Sequence, residues 1–362
     1  MQEEFVFFGD RHIEHLPEPT DEEKHLYVDR DSIFSPFNKF IGNEQAVRKL
    51  TAAAYTALGR ENHLMRELAF SVFGPSSAGK TTLIRLYAET VQLPFIEIGP
   101  KSLRTCDDLF KIVRNSLSEE GLKLHEFSPK KFSFPPCVIF IDEVHALASG
   151  VVDGLLKATE FNDAKLVTES GVMVDTYNVT WVVATTDEGK LFEAFRTRFS
   201  PIVLKLLNKS DVAKIVKLAN PDWSDSVCAL VAHYNSRVPR KALEFARYMR
   251  MVRAMKPELS WEELAEGVAT DEGIDSFGMQ EIHLKILRAL GSGPIAKNRI
   301  SLVAGRKDEE TEKYILPWLL TETDDQPALI CVTAKGYTIT ADGLKELDRR
   351  NIEHQGSKAL GN

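Results

Sequence analysis

Gly74, Gly79, Lys80 and Thr81 carry the most specific chemistry in this sequence, inside the run FSVFGPSSAGKTTLIRLYAE. They complete the spacing G-x-x-x-x-G-K-[ST], in which glycines let the backbone turn its N–H groups inward onto phosphate oxygens. A helix opening at Thr81 adds the positive end of its dipole to the same anion. Residues 74 to 82 (Gly74, Pro75, Ser76, Ser77, Ala78, Gly79, Lys80, Thr81 and Thr82) are therefore the expected phosphate cradle. Lys80 is the cation for the β- and γ-phosphates, and the Thr81 hydroxyl is a Mg²⁺ ligand. The chain is read as binding ATP with Mg²⁺.

A second element supplies the hydrolytic chemistry. VIFIDEVH puts Asp142 and Glu143 at the end of an apolar run. An Asp at such a strand end holds Mg²⁺, and the following Glu polarises the attacking water. WVVATTDEG repeats the layout and ends on Thr185 and Thr186. Thr186, at a neighbouring strand tip, is placed to orient the lytic water and sense the γ-phosphate. Arg198 in FRTRFS is a cation that can reach a nucleotide held by an adjacent copy, as an arginine finger does. RVPR, residues 237 to 240, sets Pro239 at a helix start and Arg240 directly after it, facing the nucleotide from the other side.

These groups need rigid elements to hold them. Short runs rich in β-branched and aromatic residues at 69–73, 95–99, 137–141 and 180–185 predict buried parallel strands. They alternate with helical candidates at 44–58 and 81–91. That alternation means a doubly wound α/β sheet. From Asn208 the pattern becomes purely helical, with apolar residues at three and four spacing: Val212, Ile215 and Val216, then Ala242, Phe245, Ala246 and Met249. Two further helices, at 280–290 and 309–320, precede a strand-rich end at 328–333 and 337–340, the pattern of a winged helix. The expected division is an acidic arm over 1–30, an α/β nucleotide domain over 31–205, a helical lid over 206–275, a winged helix over 276–349 and a tail over 350–362.

Composition narrows the class. At 362 residues, 43% apolar and 27% charged, the chain has the make-up of a globular protein of two or three domains. No apolar run approaches the roughly 18 residues that span a membrane. The opening Met1-Gln2-Glu3-Glu4 lacks the basic-then-apolar layout of a signal peptide. Cys106, Cys137, Cys228 and Cys331 are widely separated and match no metal or disulfide spacing. A cytoplasmic protein is expected. The net charge of −8 excludes coating of nucleic acid by bulk electrostatics, so any DNA contact must be local.

Taken in order, the phosphate loop, the DE box, the polar strand tip, the Arg of an RF pair and the P-R of a helical lid resemble an AAA+ ATPase. More narrowly, the chain resembles the RuvB family of Holliday-junction branch-migration motors. FIGNEQAVRKL is similar to that family's Y-I-G-Q-E segment, which implies that Phe40 and Ile41 lie against adenine. GPSSAGKTT stands where the family has G-P-P-G-L-G-K-T-T, FIDEVH for F-I-D-E-I-H, WVVATT for L-I-G-A-T-T, FRTRF for L-R-S-R-F and RVPR for G-T-P-R. VTAKGYTIT resembles the family's DNA-contacting wing, which implies Lys335, Gly336 and Tyr337 as DNA contacts. The resemblance runs from about Ser35 to Leu347.

It implies a homo-hexameric motor that moves duplex DNA, at a four-way junction or in related recombination and repair. In the family, the hairpin between the DE strand and the strand tip docks the junction-recognising RuvA. Here KLVTESGVMVDTYNVT reads as a hairpin turning at Ser170 and Gly171, with Val172 and Met173 either exposed anchors for a RuvA-like partner or core residues.

Three departures bear on function. Asp187 follows A-T-T where the family has Arg, and the wing retains a single cation, Lys335. Residues 121 to 136 are longer than the family pattern and interleave Lys123, His125, Lys130 and Lys131 with Phe127, Phe132 and Phe134. They form either a contact for DNA or a partner, or a solvated, locally packed loop. The alternative to a DNA motor is an ATP-switched loader or assembly regulator that binds a protein partner without pumping DNA.

Overall fold

The computed structural model describes residues 35–58, 69–160, 162–186, 189, 193–235, 238–320, 322 and 327–349. The acidic arm of 1–30, the tail of 350–362, Asp187 and Arg237 lie outside the described residues.

A turn of 3₁₀ helix, Ser35–Lys39, leads into α1 (Glu44–Leu58), β1 (Ala69–Phe73), α2 (Lys80–Thr90), β2 (Phe95–Ile98) and α3 (Cys106–Glu119). Then follow β3 (His125–Ser128), β4 (Lys131–Ser133), β5 (Cys137–Ile141), α4 (Ser149–Ala158), β6 (Lys165–Val167), β7 (Met173–Asp175), β8 (Val179–Thr185), α5 (Glu193–Arg198) and β9 (Ser200–Val203). The main sheet has the order β2-β5-β8-β1-β9, with every pairing parallel.

Alternation along these strands builds the two layers. Ile139, Ile141, Trp181 and Val183 face one core with α3 and α4, while Val138, Phe140, Val182 and Ala184 face the other with α1 and α2. Both faces are covered, so the strands read as continuous apolar runs. Side chains such as Trp181, Phe140 and Leu83 are fully buried, each contributing about 1.5–3 kcal/mol of transfer free energy.

Two features differ from the sequence expectation. The sheet has a fifth strand, β9, carrying Pro201; it lies at the edge, where a residue without an N–H is tolerated. Residues 125–133 form a hairpin, not a solvated loop, and β4 pairs in parallel with β7, giving a second sheet of order β3-β4-β7-β6. Phe132 and Phe134 pack inward on Phe110 of α3, at 5.7 and 6.2 Å between ring centroids. The β6–β7 hairpin turns as expected, with Gly171 at φ 80°. Its turn is bolted to α3: the Glu169 carboxylate accepts from the N–H of Cys106 and of Asp107, at 3.1 and 3.0 Å. Asp107 in return accepts from the Ser170 N–H at 2.9 Å and its hydroxyl at 2.6 Å.

Beyond β9 the chain is helical: α6 (Lys209–Ala219), α7 (Asp225–Tyr234), α8 (Pro239–Met255) and α9 (Trp261–Asp271). They enclose a separate core around Trp223, Val231, Phe245 and Met249. A third core, around Ile286, Leu287, Trp318, Leu319 and Tyr337, unites α10 (Glu281–Gly291), α11 (Ile300–Ala304), α12 (Leu316–Leu320) and an antiparallel hairpin of β10 (Ile330–Thr333) and β11 (Gly336–Ile339). A π-turn, Thr311–Ile315, precedes α12. This third unit has the helix-plus-hairpin make-up expected of a winged helix. Among the described residues no helix is long and apolar enough to cross a membrane.

Candidate nucleotide site and its neighbours

β1 delivers the chain to Gly74, where φ is 152° and a Cβ would sit 2.7 Å from the Leu204 carbonyl oxygen. Only glycine fits there. The loop closes on Gly79, left-handed at φ 92°, which serves as N-cap of α2. Between them Ser77 also adopts a left-handed conformation, φ 65°, at the position where the resembled family has glycine. A side chain in that region costs about 1–2 kcal/mol. The Ser77 hydroxyl is sealed from solvent and has no hydrogen-bond partner among the described residues.

Lys80, 8% exposed, donates from Nζ to the carbonyls of Gly74 and Pro75 at 2.9 and 3.1 Å. A buried ammonium spanning the loop this way is positioned for the phosphates that the loop amides also face.

The loop forms one wall of a cavity of about 590 Å³. Ser76, Ser77, Ala78, Gly79, Lys80, Thr81 and Thr82 line it together with Asp142, Glu143 and Thr186. Phe40 and Ile41 enter from the segment before α1, and Leu207, Ile215, Leu218 and Ala219 add an apolar wall at the start of the helical unit. Pro239 and Arg240 close the far side from the first turn of α8. All the nucleotide residues expected from sequence except Gly74 and Pro75 thus line one space, and those two hold Lys80 through their carbonyls.

Sequence reasoning missed Leu243, Glu244 and Arg247, which line the cavity with Arg240. Their three, four and seven spacing on α8 is the signal that would have found them.

The catalytic end gathers at the tips of β5 and β8. Glu143 has left-handed backbone, φ 48°, and its N–H donates to Asp142 Oδ1 at 2.9 Å. Thr186 donates its N–H to Glu143 Oε2 at 3.3 Å and its hydroxyl at 3.2 Å. His145, in the 3₁₀ turn Val144–Ala146, places Nδ1 2.8 Å from Thr185 Oγ1 and 3.4 Å from Glu143 Oε2. His145 was not among the candidate residues, although it closes the DEVH string.

Thr81 and Asp142 face the same cavity, and their hydroxyl and carboxylate are the hard oxygen donors Mg²⁺ takes alongside nucleotide phosphates and waters. Among the described residues no cluster of three or more His, Cys, Asp or Glu exists to hold a metal unaided. The orphaned Ser77 hydroxyl and the glycine-shaped cradle fit a triphosphate.

Arg198 is elsewhere. At the end of α5 it donates to the Leu156 carbonyl and lies 3.7 Å from Glu160, outside the cavity lining.

On the second sheet, Val172 packs against the main core, and Met173 is half-buried opposite Val167 and Lys131. The exposed apolar side chains on that sheet are instead Phe127, 63% exposed, and Val167, 42% exposed.

In the C-terminal hairpin Lys335 is exposed in the turn between β10 and β11. Gly336 and Tyr337 correct the expectation of DNA contact. Gly336 is buried, and a Cβ there would meet the Ile295 carbonyl oxygen at 2.3 Å. Tyr337, 7% exposed, exchanges backbone hydrogen bonds with Ile295, and burial pushes its phenol above the ordinary range. Strand alternation turns Tyr337 inward, so it cannot stack on a base.

Residues 70–206 match the family model "ATPase family associated with various cellular activities (AAA)". This segment is an AAA domain. Nucleotide binding belongs to it, and the motif resemblance is borne out over most of the chain. The subunit RuvB of the Holliday junction branch migration complex from Sulfurimonas denitrificans is 26% identical over 328 residues, 87% of this chain and 90% of that protein. Its counterpart from Campylobacter hominis is 27% identical over 328 residues, 86% and 88% respectively. A point mutant of Thermotoga maritima RuvB superposes with TM-score 0.69 at 23% identity, covering 86% of this chain and 97% of that one. The T. maritima RuvB Holliday junction branch migration motor superposes with TM-score 0.66 at 23% identity, covering 85% of this chain and 95% of that one. The AAA domain is thus set in a chain of RuvB-like fold and divergent sequence.

Proposed function

We propose that this protein is an ATP-hydrolysing motor that moves duplex DNA, in branch migration of a four-way junction or a related step of recombination or repair. The observation that carries this reading is the gathering of phosphate loop, Asp142, Glu143, Thr186 and Arg240 around one cavity, in a chain similar along most of its length to RuvB branch-migration subunits.

ATP lies between the Lys80 loop and α8, with its base toward Phe40, Ile41 and Ile215 and its phosphates toward Gly79 and Lys80. Thr81 and Asp142 would hold Mg²⁺, which would supply charge neutralisation for the phosphates. Glu143 takes a proton from the attacking water, and Thr186 orients that water through its hydroxyl. Arg198 acts on the nucleotide of an adjacent copy, which supports a closed ring, a homo-hexamer, as the working form. The functional division is the AAA domain over 31–205, the lid over 206–275 and the DNA-binding winged helix over 276–349, working in the cytoplasm. A RuvA-like protein docks on the second sheet, where Met173 lies beside Val167.

One observation favours a second reading. With Tyr337 turned inward, the wing presents Lys335 alone among its expected DNA contacts, and the net charge is −8. An ATP-switched loader or assembly regulator needs no more than that. A synthetic four-way junction separates the two: dissociation that requires ATP hydrolysis supports the motor. ATP turnover indifferent to DNA, with no migration, supports the switch.

A further inference from the structure

We propose that His145 is a positioning residue for ATP hydrolysis: it steadies the Glu143 carboxylate, at the end of β5, against the tip of β8 and keeps it aimed when Thr186 turns to the nucleotide. The inference rests on Glu143 being the water-activating carboxylate.

Glu143 begins from an awkward backbone. Its left-handed conformation, φ 48° and ψ 50°, is one that a non-glycine residue keeps only where its surroundings enforce it. Its carboxylate accepts the Thr186 N–H and the Thr186 hydroxyl, and His145 Nδ1 lies beside it at 3.4 Å. The first two belong to a residue with another task. A hydroxyl whose single proton goes to Glu143 has none to donate to a γ-phosphate oxygen, so sensing the nucleotide by donation requires the Thr186 hydroxyl to leave the carboxylate. His145, on a separate turn of the chain, stays beside the carboxylate when it does.

Its geometry suits that task. Nδ1 sits 2.8 Å from Thr185 Oγ1 and 3.4 Å from Glu143 Oε2, so one ring nitrogen links the last residue of β8 to the base at the end of β5. An unprotonated Nδ1 would set its lone pair against a carboxylate oxygen. The Nδ1–H form instead donates to Thr185 Oγ1 and keeps a positive edge toward the carboxylate. The ring is held as well: Val144, before it in the 3₁₀ turn, is fully buried, and the His145 side chain is 23% exposed. The contact is therefore semi-enclosed and tied to the last residue of β8.

The test uses the full chain with ATP and compares His145→Ala with His145→Asn, whose amide N–H falls near the position of Nδ1. His145→Ala is expected to lower kcat by about tenfold to a hundredfold, the cost of a base misplaced by about 1 Å. Its KM for ATP, binding of a fluorescent ATP analogue and melting temperature stay at wild-type values. His145→Asn should recover most of the lost kcat. In single-turnover assays, adding His145→Ala to Glu143→Gln should cause no further loss, since residues that act as a unit are non-additive. The proposal is overturned if His145→Asn is no better than His145→Ala, if KM rises while kcat holds, or if the losses multiply in the Glu143→Gln background. Normal turnover in Glu143→Gln would instead remove the assignment of Glu143 itself. Loss in Glu143→Gln with wild-type turnover in His145→Ala would remove only the role given to His145.

Discussion

Thr186 donates both its backbone N–H and its hydroxyl to the carboxylate of Glu143, across the tips of two adjacent parallel strands. The pair keeps the candidate base and the candidate sensor satisfied by one another. Thr186→Val preserves shape and the N–H while deleting the hydroxyl. It is expected to lower kcat for ATP by about a hundredfold, as loss of one oriented donor does, with ATP binding intact. Steady-state hydrolysis and titration with a fluorescent ATP analogue check this.

Ser77 combines left-handed backbone with an unpartnered hydroxyl in the phosphate loop. Ser77→Gly should raise stability by about 1 kcal/mol through relief of that strain, and weaken ATP binding several-fold by removing a phosphate donor. Ser77→Ala keeps the strain and loses the hydroxyl, so it should bind weakly without melting higher. Thermal melts and calorimetric titration read the two effects separately.

Arg198 stands outside the cavity of its own chain. Arg198→Ala and Glu143→Gln should each be inactive alone, with the finger contributing about 10³–10⁵ in rate. Mixed in equal amounts, they should regain hydrolysis, because some interfaces then pair an intact Glu143 with an intact Arg198 from the neighbour. No recovery on mixing would mean that Arg198 does not act in trans.

The turn of the β6–β7 hairpin is held by Glu169 on the first N–H groups of α3. Glu169→Ala should cost about 1 kcal/mol, the usual loss on removing an anionic helix cap, read as a lower melting temperature. The Ser170 hydroxyl beside Asp107 holds its carboxyl below the ordinary range. A depressed carboxyl contributes stability above its unfolded value of 3.8, lost as pH falls through the lower folded value. Protection factors for hydrogen exchange in the hairpin turn should therefore fall below pH 3.8 in the wild type, and the Asp107→Asn variant should lose that dependence.

Lys335 and Tyr337 are two residues apart in sequence and opposite in environment. Lys335→Ala should weaken duplex DNA binding and lower the salt slope by about 1, the release of one phosphate contact. Tyr337→Phe should leave DNA affinity unchanged. Fluorescence anisotropy over a salt series measures both.

How much of this was legible depends on how local each feature is. The phosphate loop, β1, β5 and β8 were readable because a glycine-bounded turn and an unbroken apolar run are set by neighbouring residues. β9 was not, since four residues including Pro201 carry little strand signal until β1 lies alongside. The β3–β4 hairpin was also hidden. His125–Ser133 looks like a basic, aromatic loop, and only pairing with β7, from a distant part of the chain, makes it sheet. Tyr337 shows the same limit from the other direction, because whether a strand residue faces solvent or core follows from register and not from motif.

By itself the sequence determined that a triphosphate would be cradled at residues 74–82 and that acidic and hydroxyl groups would stand at strand ends, because residue type and local periodicity are enough for both. The tertiary structure alone decided that Glu143, Thr186 and His145 meet, that α8 brings Arg240, Glu244 and Arg247 over the same cavity, and that the wing turns Lys335 outward and Tyr337 inward. Those outcomes rest on strand order, register and side-chain direction, which arise only when distant segments pack against one another.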